Sequence, residues 1–178
     1  LPSIATSLIW KMMYLDGSNG LLNMLVYYLG MEPMAWLSNK VLTIPLIIVS
    51  MTWNGFGGTV IMYLASLQSV DQSLYEAAHL DGAGLFRRFW VVLMPNMWGV
   101  LLLLAVKQII GVFQVVEQPL VMTGGGPNGA SMSLGLTNYY YAFRYGQAEK
   151  SLALGVTTFL ILISLTFVYF KLDRKINN

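Results

Sequence analysis

Three long apolar stretches constrain the fold of this chain more than any other feature of its sequence. They cover residues 43–65, 92–116 and 151–170, and none of them contains an aspartate or a glutamate. A bilayer core about 30 Å thick is crossed by roughly 20 residues of α-helix, which rises about 1.5 Å per residue. Each stretch is therefore predicted to be a membrane-spanning helix.

The composition indicates a membrane protein and excludes several classes of function. Of the 178 residues, 56% are hydrophobic and 10% are charged, whereas a soluble domain carries roughly 25% charged residues. The net charge of +2 comes from scattered side chains, so we expect lipid and protein partners and no nucleic acid. With no cysteine and one histidine, His79, the chain excludes thiolate and multi-histidine metal sites. No side chains have the pattern of a catalytic site, so we expect no catalytic or metal-binding residues and no enzyme activity.

Two shorter segments and one basic cluster set the expected topology. Residues 1–15 are predicted to be the end of a fourth helix, whereas residues 20–30 are too short to span and are predicted to lie at the membrane interface. The third span is followed by a cationic flank, typical of a cytoplasmic end, formed by Lys171, Arg174 and Lys175. Alternation of the spans then predicts that residues 66–91 lie inside, and that residues 16–42 and 117–150 lie outside.

The inside connection at residues 71–95 is hydrophilic, yet it has the pattern of a short helix. Asp71 or Ser73 is a suitable N-cap residue. Gly82 and Gly84 would end this helix and allow a sharp turn. A second short helix is then expected to lead into the next span.

The middle of this connection is suited to contact with another protein. Ala77 and Ala78 are small enough to let the helix approach a partner surface closely. Glu76 and Asp81 supply hydrogen-bond acceptors that would fix its orientation. Pro95 follows, and its fixed φ angle suits the first turn of the second span. The segment is predicted to dock in a cleft of a partner.

The same connection resembles a known signature. Glu76-Ala77-Ala78 is followed four residues later by Gly82, and after nine more residues by Val92 and the Met94-Pro95 pair. This spacing resembles the EAA motif of permease subunits in ABC importers that use a separate solute-binding protein. The longer pattern Glu76-Ala77-Ala78-x-x-Asp81-Gly82-Ala83 is similar to the sugar-permease branch. Further landmarks of that branch are Trp36-Leu37, Trp53, Gly55-Phe56, the 64–70 segment and the 122–127 segment.

The resemblance implies an all-α, polytopic transmembrane helix bundle of the type I importer permease kind, with a cytoplasmic coupling-helix loop. Residues 1–178 would form a single permease domain that lacks about two N-terminal helices of the family, and residues 71–95 would form the loop within it. The implied protein partners are a dimeric ATP-binding subunit, a second permease and an extracytoplasmic solute-binding protein, in a prokaryotic plasma membrane. The solute would be a sugar or related polyol, and ATP with Mg²⁺ would bind only to the partner subunits. The implied coupling residues are Glu76, Ala77, Ala78, Asp81, Gly82 and Pro95.

A glycine-rich run follows the second span. Gly124-Gly125-Gly126-Pro127-Asn128-Gly129 satisfies the G-x-G-x-x-G pattern, but it follows a membrane helix rather than a strand, and no G-K-[ST] occurs in the chain. These features argue against a nucleotide site. Glycines permit positive φ angles, so an outward-facing turn is predicted. The resemblance implies that Gly124, Gly125, Gly126 and Pro127 also face the solute-binding protein.

Polar residues within two of the spans are candidates for the solute path. A charge at mid-bilayer costs about 2.5–3.5 kcal/mol on insertion scales, so Lys107 must face a cavity, pair with a carboxylate or extend toward the interface. Amide side chains suit the hydroxyl groups of a sugar. By analogy with sugar permeases, the candidates are Asn54, Gly55, Lys107, Gln108, Gly111 and Gln114. Hydrogen bonding between helices, without a role in solute binding, remains the alternative for each.

Two other functions compete with an ATP-driven importer. A secondary transporter driven by an ion gradient would favour paired carboxylates within the membrane, and the three stretches contain none. A non-transporting membrane scaffold would leave Lys107 and Gln108 with structural roles only. Dependence of solute uptake on an associated ATPase separates the three functions.

Overall fold

The computed structural model describes residues 2–176, and the side chains of residues 2–171. Within residues 2–176 every regular element is helical, which confirms the predicted all-α class. The helices are α1 (Ser3–Met13), α2 (Leu21–Tyr28), α3 (Lys40–Gln68), α4 (Gln72–Leu80), α5 (Leu85–Arg88), α6 (Met94–Gln114), α7 (Glu117–Thr123), α8 (Leu134–Tyr139) and α9 (Ala148–Ile176). Two π-helical segments, Phe89–Leu93 and Tyr140–Arg144, follow α5 and α8.

Three helices are long and apolar enough to cross a membrane. They are Lys40–Gln68, Leu85–Gln114 and Ala148–Lys171, with mean hydropathies of 1.4, 2.0 and 2.2 in their most apolar windows. Each predicted span is present. The first and third helices extend beyond their apolar stretches at both ends, whereas the second begins earlier, at Leu85, and ends at Gln114 rather than at residue 116. At most 17% of the residues in these windows are buried within the chain. The outer surfaces of the three helices are therefore available to lipid or to other subunits.

The second of these helices departs from the expected start at Pro95. Helical backbone begins at Leu85 and continues through the π-helical segment before Pro95, which is the second residue of α6. Proline has no N–H to bond the carbonyl four residues earlier, and its ring clashes with that carbonyl in a regular α-helix. The wider π turn, in which the Met94 N–H bonds the Phe89 carbonyl, accommodates the ring without breaking the helix.

The chain forms two compact units. The first comprises Leu1–Gly55 and Gly111–Ile161, and the second comprises Phe56–Ile110 and Leu162–Asn178. Buried side chains of the second unit include Ala83, Val92, Met97, Leu104 and Leu162.

The first unit is built on the packing of α1 against α7. Tyr14, Ile47 and Met122 form its buried cluster, and the Trp10 ring stacks on Tyr14 at 5.3 Å between centroids. Lys11 Nζ donates to the Val121 carbonyl at 3.0 Å. That carbonyl lies in the last turn of α7, where it has no partner within the helix and where the helix dipole favours a cation. Lys11 therefore holds the two helices in register.

Asn23 on α2 organises the connection between α1 and α3. Its side chain is fully buried, and Nδ2 donates to the carbonyls of Leu15, Gly17 and Met34 at 3.3, 2.9 and 2.9 Å. Oδ1 accepts from the Met34 N–H and from Trp36 Nε1, both at 2.8 Å. One amide thus satisfies backbone groups on both sides of α2, which buried polar groups require. No structural role was predicted for Asn23 from the sequence.

Replacing Asn23 with leucine should destabilise the protein by about 3 kcal/mol or more, because several buried donors and acceptors lose their partner. Asn19, which is exposed and makes no side-chain hydrogen bond within the described residues, provides the matched control. Asn19→Leu should change stability by about 0.5 kcal/mol or less. Thermal unfolding of the purified permease in detergent checks both, and equal shifts for the two variants would contradict the role of Asn23.

Candidate functional site

Helix α4, which carries the EAA residues, begins with a side-chain cap. Asp71 Oδ1 accepts the Ser73 N–H at 2.9 Å, so Asp71 rather than Ser73 is the N-cap. Hydrogen bonds from the backbone and the side chain of Ser73 lower the pKa of Asp71. The carboxylate is therefore charged at neutral pH and complements the positive end of the helix dipole.

The C-terminus of α4 is closed by a glycine turn. The Ala83 N–H donates to the Ala78 carbonyl and the Gly82 N–H donates to the His79 carbonyl, both at 3.0 Å, which is the Schellman pattern. Gly82 adopts a left-handed conformation with φ +70°, and a Cβ built there would meet no atom within 4 Å. Glycine is therefore required by the backbone conformation and not by lack of space.

The residues predicted to couple transport to ATP hydrolysis lie on the surface of the second unit, apart from the half-buried Ala78. Glu76, Ala77, Asp81 and Gly82 are exposed, and Ala78 is half-buried. Beside them lie three large apolar side chains, Leu80, Leu85 and Phe86, which are 88%, 83% and 78% exposed. We call these three residues the apolar tip. Apolar groups of this size gain free energy when another surface covers them, so α4 and its flanks have the character of a docking surface.

Arg88 joins the end of α4 to α5. Its Nε donates to the Ala83 carbonyl at 2.6 Å, and its Nη2 lies 3.0 Å from His79 Nδ1. Neither contact of Arg88 was predicted from the sequence. No local pattern marks it as a link, because the contacts depend on the Gly82 turn bringing α4 back beside α5.

Pro95 lies in α6, outside the surface formed by α4 and the apolar tip. It follows the π-helical segment at the start of α6, and its side chain is exposed. It shapes the passage from α5 into α6, whereas the other predicted coupling residues belong to α4 and its terminal turn.

The glycine-rich run folds into a turn whose shape depends on positive φ angles, on side-chain hydrogen bonds and on close packing. Gly124, Gly125 and Gly129 have φ angles of +61°, +89° and +75°, as the glycine pattern predicts. Tyr140 Oη donates to the Gly124 carbonyl at 3.0 Å, and Ser131 Oγ donates to the Gly126 carbonyl at 2.8 Å. A Cβ at Gly125 would lie 2.9 Å from Met132 Sδ. The turn is therefore held in one shape by side chains that follow it.

The base of this turn is fixed by the start of α8. Ser133 Oγ accepts the Leu136 N–H at 3.0 Å and donates to the Val115 carbonyl at 2.5 Å. A Cβ at Gly135 would lie 2.6 Å from the Gln114 carbonyl oxygen. Only glycine at position 135 therefore allows α8 to approach the end of α6 this closely. These two contacts hold the turn relative to the end of α6 within the first unit.

The solute-path candidates are distributed over both compact units. Asn54, Gly55, Gly111 and Gln114 belong to the first unit, and Lys107 and Gln108 belong to the second. All six residues are exposed. Within the described residues, the side chains of Asn54, Lys107, Gln108 and Gln114 make no hydrogen bond. Lys107 therefore has no pairing carboxylate in the described part of this chain.

The described residues contain no group of three or more histidine, cysteine, aspartate or glutamate side chains arranged to hold a metal ion.

Comparison with known proteins assigns the chain to a family. The family model described as binding-protein-dependent transport system inner membrane component matches residues 1–178. The chain is 35% identical over 176 residues to the trehalose/maltose transport system permease protein MalF of Thermococcus litoralis, covering 98% of this chain and 58% of that protein. It is 32% identical over 178 residues to the lactose transport system permease protein LacF of Rhizobium radiobacter, covering 97% of this chain and 59% of that protein. The chain thus spans less than two thirds of the length of these relatives.

A solved structure shows the same fold. A chain in the crystal structure of a bacterial ABC transporter involved in the import of the acidic polysaccharide alginate matches with a TM-score of 0.88 at 18% identity, covering 100% of this chain and 62% of that chain. The family match extends over all 178 residues and agrees with the helical architecture and with the EAA pattern on α4. This chain belongs to the family of inner membrane components of binding-protein-dependent transport systems.

Proposed function

We propose that this chain forms the membrane-spanning core of a permease subunit in an ATP-driven importer for a sugar or a related polyol. The observation that carries the proposal is α4, a capped helix that displays the EAA residues next to the apolar tip and leads into a membrane-capable helix. Relatives named for trehalose/maltose and lactose transport support a sugar as solute. Residues 1–178 act as a single permease domain, and residues 71–95 form its coupling loop.

Import would depend on several partners in a prokaryotic plasma membrane. A dimer of ATP-binding subunits, which carries ATP and Mg²⁺, docks on Glu76, Ala77, Ala78, Asp81 and Gly82, with Pro95 shaping the adjoining helix. A second permease completes the path, and a solute-binding protein delivers the solute from outside. The cationic C-terminal flank supports a cytoplasmic C-terminus. ATP hydrolysis belongs to the partner, so this chain is not itself an enzyme.

Alternating access would follow from displacement of α4. Closure of the ATP-binding dimer moves the docked helix, and the two membrane-capable helices that flank the coupling loop move with it. The alternative of transport driven by an ion gradient has no carboxylate pair in the three apolar stretches to support it. The alternative of a passive scaffold gives no reason for an exposed apolar tip beside the EAA residues.

The first test is the identity of co-purifying proteins and its dependence on the Gly82 turn. Gly82→Trp places a bulky L-residue in the left-handed conformation, which costs about 1–2 kcal/mol and covers the docking surface. Gly82→Asn is the matched control, because asparagine tolerates this conformation. Purification from the native membrane with mass spectrometry should recover an ATPase with the parent and Gly82→Asn, and lose it with Gly82→Trp.

Absence of any ATPase from the parent under mild detergents would overturn the importer function. An ATPase that remains bound to Gly82→Trp, with normal transport, would overturn the assignment of α4 while leaving the importer function in place.

Lys107 and Gln108 are proposed to line the solute path, together with Asn54, Gly55, Gly111 and Gln114. Lys107→Met should raise the KM for solute transport about tenfold, as expected when one charge-assisted hydrogen bond is lost, with little effect on assembly. Lys107→Arg keeps the charge and should retain most of the affinity. Uptake of labelled solute by vesicles that contain the complete transporter measures both. A Lys107→Met variant that fails to bind its second permease would indicate structural pairing instead.

The turn at Gly124, Gly125, Gly126 and Pro127 is proposed to contact the solute-binding protein. Gly125→Ala introduces a Cβ at 2.9 Å from Met132 Sδ and a strained φ angle, so it should weaken binding-protein association about fivefold or more. Gly129→Asn, at φ +75° with open space around the new Cβ, is the matched control and should bind normally. Pull-down with the solute-loaded binding protein checks the prediction, and equal binding by both variants would refute it.

A further inference from the structure

The connection between α4 and α5 contains two glycines. It consists of Asp81, Gly82, Ala83 and Gly84. A Cβ at either glycine would meet no atom within 4 Å, so neither position is enclosed by packing. Glycine has more backbone freedom than any other residue. Backbone hydrogen bonds close the end of α4, but among the described residues none of them joins α4 to α5 across Gly84, so the angle between the two helices depends on side-chain contacts.

The Arg88 side chain supplies such a contact. Its Nε–H bond to the Ala83 carbonyl holds the turn itself, and its Nη2 contact with His79 Nδ1 holds the last turn of α4. A guanidinium group has only donors, so His79 Nδ1 is the acceptor in this contact. The planar fork of arginine makes both bonds from one rigid group, which a lysine ammonium does not reproduce.

The position of Arg88 in the chain gives these bonds a mechanical consequence. Arg88 is the last residue of α5 and directly precedes the π-helical segment Phe89–Leu93. Helical backbone is continuous from Leu85 to Gln114. The two hydrogen bonds therefore tie the end of α4 to the first turns of a membrane-capable helix, on the other side of the glycine turn.

We propose that Arg88 is a positioning residue that acts as a strut: it holds α4 at a fixed angle to the helix Leu85–Gln114, so that displacement of α4 by the ATP-hydrolysing partner moves this helix. The inference rests on the proposed function. It assigns Arg88 a role separate from docking, because Arg88 is half-buried against the turn and the exposed docking residues are on α4 and the apolar tip.

Arg87 offers a matched control. It is exposed, carries the same charge at the adjacent position, and makes no side-chain hydrogen bond within the described residues. The experiment compares Arg88→Met and Arg87→Met in the complete transporter, reconstituted in vesicles with its second permease, ATP-binding subunits and solute-binding protein. Solute uptake and ATP hydrolysis are measured on the same vesicles, and the co-purifying ATP-binding subunit is quantified.

Arg88→Met should lower the amount of solute transported per ATP hydrolysed by about fivefold or more, as expected for loss of a coupling contact. The amount of bound ATP-binding subunit should stay within about twofold of the parent, since the docking surface is unchanged. Arg87→Met should leave both quantities within about twofold of the parent. Arg88→Lys should not restore coupling, although it restores the charge.

A second pair of variants tests the same contact from its other end. Asparagine places Oδ1 near the position of histidine Nδ1, so His79→Asn keeps an acceptor for Arg88 and should keep coupling. His79→Leu removes the acceptor and should lower coupling about two- to threefold, with no further loss when it is combined with Arg88→Met.

The outcomes separate the strut from the proposed function. Equal solute transport per ATP in Arg88→Met and Arg87→Met would overturn the strut and leave the importer intact, and so would loss of the ATP-binding subunit from Arg88→Met, which would make Arg88 a docking residue. Absence of ATP-dependent uptake in the parent would overturn the proposed function first. Additive losses in the double variant of His79 and Arg88 would show that the two residues act independently, which also overturns the strut.

Discussion

A lipid core offers no hydrogen bond to a backbone amide, and the rest of this structure depends on that constraint. The three long apolar segments become helices because a helix bonds its own backbone. Everything that needs polar chemistry is then confined to the connections and to a few polar residues within the helices. The described residues follow this division: side-chain hydrogen bonds outside the apolar stretches hold the first connection around Asn23, the ends of α4 and the glycine-rich turn.

The connections keep their shape through polar side chains that bond backbone groups of the turns. Asn23 bonds carbonyls and N–H groups on both sides of α2, Ser131 and Tyr140 hold the glycine-rich turn, and Arg88 holds the turn after α4. Such bonds are worth more than their average contribution because losing one leaves buried partners unsatisfied. A connection built in this way transmits force, which a flexible loop does not. This property is what the proposed coupling mechanism requires of the segment between α4 and the second membrane-capable helix.

Large parts of this chain are arranged for contact with other molecules. The membrane-capable helices bury at most 17% of the residues in their most apolar segments, and the apolar tip is exposed. The side chains of Lys107 and Gln108 make no hydrogen bond within the described residues. The proposed function gives these surfaces a consistent explanation, since it assigns them contacts with partner subunits, lipid and solute. The relatives compared here are also longer, and this chain spans 58% and 59% of two of them.

The sequence by itself determined the features that depend on local chemistry. Unbroken apolar stretches specified the three membrane-capable helices. Glycine adopts the left-handed conformation freely, so Gly82 and Gly124 specified the turns at their positions. The tertiary structure decided the features that join residues distant along the chain. Asn23 meets Met34 and Trp36 only after the chain has turned back, and Arg88 reaches His79 only because the Gly82 turn reverses its direction. The local sequence pattern does not indicate such contacts, because the folded course of the chain, and not the neighbouring sequence, determines the partner of a hydrogen bond.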